Sequence, residues 1–471
     1  MSRLIRASAL ALVVSTGWAL PAHASADSDA AISQELAAMR AQMQAMAARI
    51  DALESQLVDA RSQAAAAQSK VDAASFAVAA IPPQAVVAAT ATAKQATEIA
   101  WDGAPRIATK DGWSFKPRGR LQIDVAGVNA PPGIAATASL GIATEFRRAY
   151  IGFDGTMPGG FGYRVEADLA NSGVDLTDLY LTYKASPKLT VTLGQHKPFQ
   201  SLEDMTSDLL TSFMERAAFN SGFGFERRVG LSATYTDSQV LVQAGVFADN
   251  AADLNSDRNN SYSLNGRVVF MPKIGKGQLH IGGSAHYRDF NDASTTARYR
   301  ARPFVHTTDV RLIDTGLFSA TGERSFGAEL AYIRGRFHAT AESHWMTALR
   351  PSLPNPTFNG GYAEVGYLLT DDTTAYKNGV YDRIKPKRPL GKGGLGAVQL
   401  NLRYDWLDLN SGTIIGGRQQ VAAASVVWMP TDYFRFLLNY GHLWLNDAAA
   451  AAGSATSYGA DTIGLRAQFD F

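Results

Sequence analysis

TIGLRAQFDF, residues 462–471, alternates polar or small side chains with apolar ones at every position. A period of two predicts a β-strand with one apolar face and one polar face. Segments 163–169, 178–184, 189–195 and 398–406 repeat the pattern. If the apolar faces contact lipid and the polar faces contact a water-filled lumen, these strands form a transmembrane β-barrel.

Aromatic residues favour such a barrel over a soluble β-sandwich, whose strands alternate in the same way. Tyr433, Phe434 and Trp444 stand at the ends of predicted strands, where a membrane barrel carries its interfacial rings. The last strand is amphipathic and ends on Phe471, which resembles the signal that outer-membrane assembly machinery reads. The predicted fold class is therefore all-β, a transmembrane barrel of antiparallel strands.

The spacing of the strands predicts the size of the barrel. Counting from residue 112 onward gives about sixteen strands, an even number as in bacterial porins. Long connections alternate with short turns, as expected of external loops and periplasmic turns. One long segment, 371–393, falls on the side of the short turns. A barrel of this size leaves an aqueous channel unless loops fold inward. The long connections are 129–142, 196–227, 249–260, 291–321, 347–359 and 447–458.

Composition limits the other function classes. The chain has no cysteine, which excludes thiol catalysis and thiolate metal sites. The eight histidines lack H-x-x-x-H or H-E-x-x-H spacing, and no Ser–His–carboxylate motif of a membrane hydrolase is recognisable. We therefore predict no enzyme activity, no cofactor, no metal and no nucleic-acid partner. The formal net charge is +1, so any ion preference has to come from a local cluster.

The first residues predict export. Arg3 and Arg6 precede the apolar stretch 7–20, and Ala22-His23-Ala24 forms an A-x-A cleavage site. This tripartite pattern is typical of a signal peptide, here residues 1–24. A transmembrane anchor is the alternative, but the apolar stretch is too short to span a bilayer.

A heptad seam predicts a coiled coil over residues 25–81. Large apolar residues recur there at spacings of four and three, which favours association with other copies of the chain. An amphipathic helix lying on the barrel mouth is the alternative. Pro82-Pro83 ends the helix, a linker occupies 82–111, and the barrel domain covers 112–471. The seam residues are Ile32, Leu36, Met39, Met43, Met46, Ile50, Leu53 and Leu57.

Three arginines are spaced for one face of an extended segment. Arg298, Arg300 and Arg302 stand at i, i+2 and i+4, about 6 to 7 Å apart. One guanidinium group can donate to two phosphate oxygens at once. A row of such groups can therefore pass an anion between overlapping sites. A solvated surface loop or a patch for anionic outer-leaflet lipid is the alternative.

Several short motifs in order resemble the phosphate-selective porin O/P family. The likeness spans residues 113–471 and implies a homotrimer of sixteen-stranded barrels. It also implies a pore that is constricted by inward-folded loops and lined by basic residues that pass anions. The motifs are FKPRGRLQ (115–122), FRRAY (146–150), SLE (201–203), MERA (214–217), YRD (287–289), RYRAR (298–302), IKP (384–386) and RYD (403–405).

The resemblance and the strand phase together select candidate anion-pathway residues. Arg148 and Tyr150 share the polar phase of their strand, whereas Arg147 has the opposite phase and is expected at the rim. Arg298, Arg300 and Arg302 form the proposed row, and Lys385 joins it only if segment 371–393 folds into the lumen. Where the family continues the row with arginine this chain has His306, and residues 161–164 lack the family's constriction lysine. The departure at His306 weakens the case for tight phosphate specificity.

The leading functional hypothesis is passive diffusion of small anions, of phosphate or polyphosphate type. A broad-specificity porin is one alternative. An envelope tether, whose coiled coil binds peptidoglycan, is another. The expected location is the outer membrane of a Gram-negative bacterium, in contact with lipid and lipopolysaccharide, with the coiled coil in the periplasm.

Overall fold

The computed structural model describes residue 44 and residues 97–134, 140–170, 173–256 and 258–471. The predicted signal peptide, and the coiled coil apart from residue 44, lie outside this part of the chain. Residues 95–471 form one compact unit. No helix in the described ranges is long and apolar enough to span a bilayer.

Sixteen antiparallel strands form a closed barrel, which confirms the predicted strand number and class. Each strand pairs with the next, and β16 pairs with β1 from Asp461 opposite Asn129 to Asp470 opposite Arg120. Closure removes the free edges of the sheet. The strands are β1 Ser114–Asn129, β2 Ala143–Met157, β3 Phe161–Asp168, β4 Asp175–Lys184, β5 Leu189–His196, β6 Arg228–Thr236, β7 Val240–Phe247, β8 Tyr262–Phe270, β9 Gly277–Asp289, β10 Gly322–Arg334, β11 Phe337–Leu349, β12 Thr357–Leu368, β13 Ala397–Ser411, β14 Ile414–Met429, β15 Phe434–Asn446 and β16 Tyr458–Asp470.

The alternation along each strand separates a lipid face from a lumen face. On β16, Ile463 and Leu465 are both 55% exposed on the outside. Arg466 and Gln468, which have the opposite phase, are buried inside the barrel. The apolar face points outward because lipid, rather than a protein core, covers it.

Long and short connections lie at opposite ends of the barrel. The long loops, including 197–227 and 290–321, all follow odd-numbered strands, although the connections after β3 (169–174) and β13 (412–413) at this end are short. We call this the external end, because bacterial barrels carry their long loops outside. At the other end the turns are short, apart from the connection 369–396 between β12 and β13.

The inward loop, residues 197–227, occupies much of the lumen. It contains two short helices, α1 Leu202–Met205 and α2 Ala218–Gly222. The amides of Leu202 and Glu203 donate to the Glu342 carboxylate on β11, both at 2.8 Å. The amide of Ala218 donates to Asp405 on β13 at 2.9 Å. These bonds fix the loop against the wall.

An apolar core lies inside the barrel, where the alternation predicted only a wet lumen. Loop 290–321 packs Leu312 and Ile313, both 0% exposed, into this core. The inward loop contributes Phe213 and Phe219, and the wall contributes Leu407. Apolar positions therefore occur on both faces of several strands, because the loops need an apolar surface to pack against.

The connection 369–396 also enters the lumen, which was the condition for Lys385 to join the predicted arginine row. Its hairpin turns at Asn378-Gly379, where both residues have positive φ, 50° and 78°, as in a type I′ turn. Arg267 Nη2 on β8 donates to the Gly379 carbonyl at 2.9 Å. Lys385 itself lies beyond the hairpin and is exposed.

Part of the segment predicted as a linker is structured. Residues Glu98–Asp102 and Ala104–Ala108 form a hairpin. Its second strand pairs with the start of β1, Ile107 opposite Phe115. The hairpin therefore extends the wall at the end of the short turns.

Candidate solute pathway

Two cavities remain open in the lumen beside the inward loop. The outer cavity, about 190 Å³, lies towards the external end beneath loop 290–321. The inner cavity, about 380 Å³, lies between the inward loop and strands β1–β5. They share Arg148, Asp208 and Arg216, which we call the junction. We call the two cavities and the junction together the candidate pathway.

Basic side chains dominate the surface of this pathway. Among the residues that the structure describes, nine lysines and arginines but only four aspartates and glutamates line the two cavities. The surface facing a solute is therefore positive. The cations are Arg118, Arg120, Arg147, Arg148, Arg164, Lys197, Arg216, Arg227 and Arg302, and the carboxylates are Asp178, Asp204, Asp208 and Glu215.

Asp208 organises the arginines of the junction. Its carboxylate lies 2.5 Å from Arg148 Nε and also pairs with Arg120. Burial alone raises the pKa of Asp208, but Arg120 and Arg148 hold that pKa well below its usual range. The carboxylate is therefore ionised, and it orients two guanidinium groups.

Arg216 carries a charge that no carboxylate in the described ranges neutralises by an ion pair. Its Nε donates to the Glu203 carbonyl at 3.0 Å and its Nη2 donates to the Thr206 carbonyl at 2.8 Å. Both acceptors belong to the inward loop. In the sequence Arg216 is recognisable only as part of the family motif 214–217, because no local sequence pattern shows that backbone carbonyls hold its side chain.

A β-bulge turns two successive arginines into the lumen. Gln122 on β1 pairs with Arg148, but the next residue, Ile123, pairs with Phe146. Arg147 is thus the extra residue, and its Nε donates to Glu215 of the inward loop at 2.9 Å. The expectation that Arg147 sits at the rim is wrong, because the bulge breaks the simple alternation.

Tyrosine rings support the guanidinium groups of the inner cavity. Arg120 lies over the Tyr150 ring at 4.5 Å, and Arg164 lies over the Tyr180 ring at 5.7 Å. Glu166, with a side chain only 3% exposed, pairs with Arg120 from behind at 3.0 Å. The carboxylate anchors the cation while the cation faces the cavity.

The predicted row Arg298, Arg300 and Arg302 does lie on one face of its segment. The intervening residues are buried, and the arginines are exposed or half-buried. Arg298 Nε donates to Asp314 at 2.8 Å, whereas Arg302 Nη2 donates to Asp309 at 2.6 Å. Of the three, only Arg302 lines the outer cavity, and none lines the inner cavity.

Comparison with known proteins identifies the family. The model described as phosphate-selective porin O and P matches residues 115–471.

The chain belongs to this family of porins.

The chain is also similar to two known proteins, of which porin O agrees with this assignment. An uncharacterized protein of Caulobacter vibrioides is 44% identical over 412 residues, 83% of each chain. Porin O of Pseudomonas aeruginosa is 26% identical over 376 residues. The match covers 71% of this chain and 82% of porin O. The fold is similar to that of in vitro folded OmpT of Vibrio cholerae, which is 12% identical and superposes with a TM-score of 0.51. This match covers 77% of this chain and 98% of OmpT, and it shows the fold alone. The protein is an outer-membrane porin, and its family and fold are those of a channel.

The porin has a lysine in its inner cavity, although residues 161–164 lack one. Lys197 is the first residue of the inward loop, and its Nζ lies 3.2 Å from Asp204. Burial, together with the nearby charge of Arg216, lowers the pKa of Lys197 to about 8. His306 bonds to Glu145 at 2.8 Å and lines the outer cavity.

Lys385 lines neither cavity of the porin. Arg148 and Tyr150, by contrast, lie in the pathway. No cluster of three or more histidine, aspartate or glutamate side chains in the described ranges is arranged to hold a metal ion.

Proposed function

We propose that this porin lets small anions, of phosphate or polyphosphate type, diffuse passively through the outer cavity, the junction and the inner cavity. One observation carries the proposal. At the junction Arg216 has no ion-pair partner in the described ranges, and Arg148 together with Arg120 of the inner cavity pairs with the carboxylate of Asp208. An anion that arrives there meets an excess of fixed positive charge.

The arrangement favours passage over tight binding. Most of the guanidinium groups are already bonded to carboxylates or carbonyls, so each offers an anion only part of its hydrogen-bonding capacity. Successive cations along the pathway then share the anion. Their effect is strong because the dielectric constant inside a narrow lumen is lower than in bulk water. Guanidinium forks suit phosphate oxygens in particular.

Conductance of single channels in a salt gradient tests the proposal. We expect a reversal potential that shows preference for anions, and phosphate that competes with chloride for the pathway. Equal permeability to chloride, potassium and neutral sugars would support the broad-specificity alternative. The four carboxylates and His306 that line the cavities favour that alternative.

The anion preference is expected to decrease as the pH rises through about 8. The pKa of Lys197 is lowered to about 8, so the ammonium charge is present below that pH and lost above it. Reversal potentials measured from pH 6 to 10 should follow this titration. Lys197→Met should lack the change between pH 7 and 9 and resemble the wild type at high pH. A wild-type curve that stays flat over this range contradicts the role of Lys197.

We also propose that the porin is a homotrimer and that residues 25–81 assist its assembly in the periplasm. The family resemblance and the heptad seam support this proposal. Analytical ultracentrifugation of the isolated segment is expected to give a trimer. A monomer at high concentration would favour the barrel-mouth alternative.

A tethering role through peptidoglycan is the competing function of the same segment. Deleting residues 30–80 separates the two: a tether loses envelope attachment, whereas a pore retains its conductance.

A further inference from the structure

A shallow apolar groove of about 870 Å³ crosses the lipid-facing side of β5–β10. Its floor consists of small side chains that stand opposite one another on adjacent strands. Ala233 pairs with Ala244, Ala244 pairs with Gly266, and Gly266 pairs with Ala285. The register therefore creates a depression across four neighbouring strands.

Larger side chains form the external border of this groove. Leu231 pairs with Val246, and Leu264 pairs with Val246 and with Tyr287. Tyr287 in turn pairs with Arg324 on β10. Leu231, Val246 and Leu264 are each about half exposed, so the border stands above the floor and is open to lipid.

Arg324 gives the groove a charged end. It is exposed and lies two residues after the start of β10, which follows the external loop 290–321. No carboxylate within the described ranges forms an ion pair with it. Its flanking residue on β11 is Thr347, which is neutral. An arginine in this position lies where the phosphate groups of the outer leaflet meet the barrel.

We propose that this groove binds one phosphorylated, multiply acylated glycolipid of the outer leaflet, of the lipid A type. An acyl chain lies over Ala244, Gly266 and Ala285, and a phosphate accepts hydrogen bonds from the Arg324 guanidinium. Guanidinium forks match phosphate geometry, and an unpaired charge on a lipid-facing strand needs such a partner.

A second apolar groove on the barrel shows why the charge matters. It lies on β10–β15 and has a similar floor, which includes Ala341, Ala363 and Ala422. The outward-facing residues that border it are apolar or tyrosine, such as Leu402 and Tyr404, and include no lysine or arginine. Charge complementarity thus distinguishes the Arg324 groove as the site for a phosphorylated lipid.

Native mass spectrometry of the full-length porin, titrated with lipid A, tests the proposal. We expect one tightly held lipid A per chain in the wild type. Arg324→Gln should weaken binding by about tenfold, the scale of one charge-assisted contact. Ala285→Leu, which fills the floor, should weaken it as well. Arg418→Gln is the matched control, because Arg418 is an exposed external arginine already paired with Asp408 at 2.8 Å.

The chemistry of the probe separates the remaining explanations. Dephosphorylated lipid A should bind the wild type and Arg324→Gln with equal, reduced affinity. Inorganic phosphate should not displace lipid A, since the acyl chain contributes part of the binding. Equal binding of lipid A by the wild type and Arg324→Gln would overturn the proposal. So would efficient disulfide cross-linking between copies that carry Ala244→Cys, because the groove would then be a subunit interface.

Discussion

A porin that carries both Arg148→Gln and Arg216→Gln is expected to lose its anion preference and to become weakly cation-selective. The two substitutions remove the unpaired charge of Arg216 and one of the two ion-pair partners of Asp208 at the junction. If each charge stabilises an anion by about 1 kcal/mol, the ratio of anion to cation permeability falls by about thirtyfold. No other pair of substitutions in the pathway should change selectivity as much.

Reversal potentials in a salt gradient measure this change. Arg300→Gln and Lys385→Gln are the matched controls, because both side chains are exposed and neither lines the outer or the inner cavity. Each control should leave the reversal potential close to that of the wild type. If the controls change selectivity as much as the junction variant does, the preference arises at the surface and the proposed pathway is wrong.

Arg403→Met is expected to lower the free energy of unfolding by about 3–5 kcal/mol, as is typical when one partner of a buried ion pair is removed. Arg403 Nη2 lies 2.6 Å from Glu203 of the inward loop and 2.5 Å from Glu364 of β12. Its guanidinium also packs on the Phe213 ring, 4.6 Å from the ring centre. Without Arg403 two buried carboxylates lose their cation.

The same substitution should enlarge the pore, because Glu203 holds the inward loop together. Glu203 Oε2 accepts from the Ala217 amide at 2.8 Å and from Asn220 at 2.9 Å. We expect single-channel conductance to rise and to become noisy, and the urea midpoint of refolded protein to fall. Arg418→Met, at an exposed ion pair, should change stability by less than about 1 kcal/mol. Unchanged conductance in Arg403→Met would show that other contacts fix the loop.

The barrel could be predicted from sequence because its cause is local. A period of two appears within ten residues of one strand, as 462–471 show, and lipid outside with water inside imposes that period on every strand. Short turns and long loops then follow from composition. The strand number needed no knowledge of contacts between distant residues.

The pathway could be predicted only in part, because its causes are not local. Arg148 and Tyr150 follow from strand phase, but the bulge that turns Arg147 inward depends on pairing with Gln122 and Ile123. Arg216 is significant because the carbonyls of Glu203 and Thr206 hold it, and a sequence pattern does not show such contacts. The apolar core inside the barrel was missed for a similar reason, since it forms only where loops meet the wall.

Closure between β16 and β1 has a consequence for how this porin matures. The pairing of Asp470 with Arg120 joins residues from the two ends of the barrel domain, so the ring is completed only after the last strand has arrived. Contacts between such distant residues form slowly. Until then β1 and β16 present unpaired backbone groups that invite aggregation. The interval before closure is therefore the period in which the chain is most prone to aggregate.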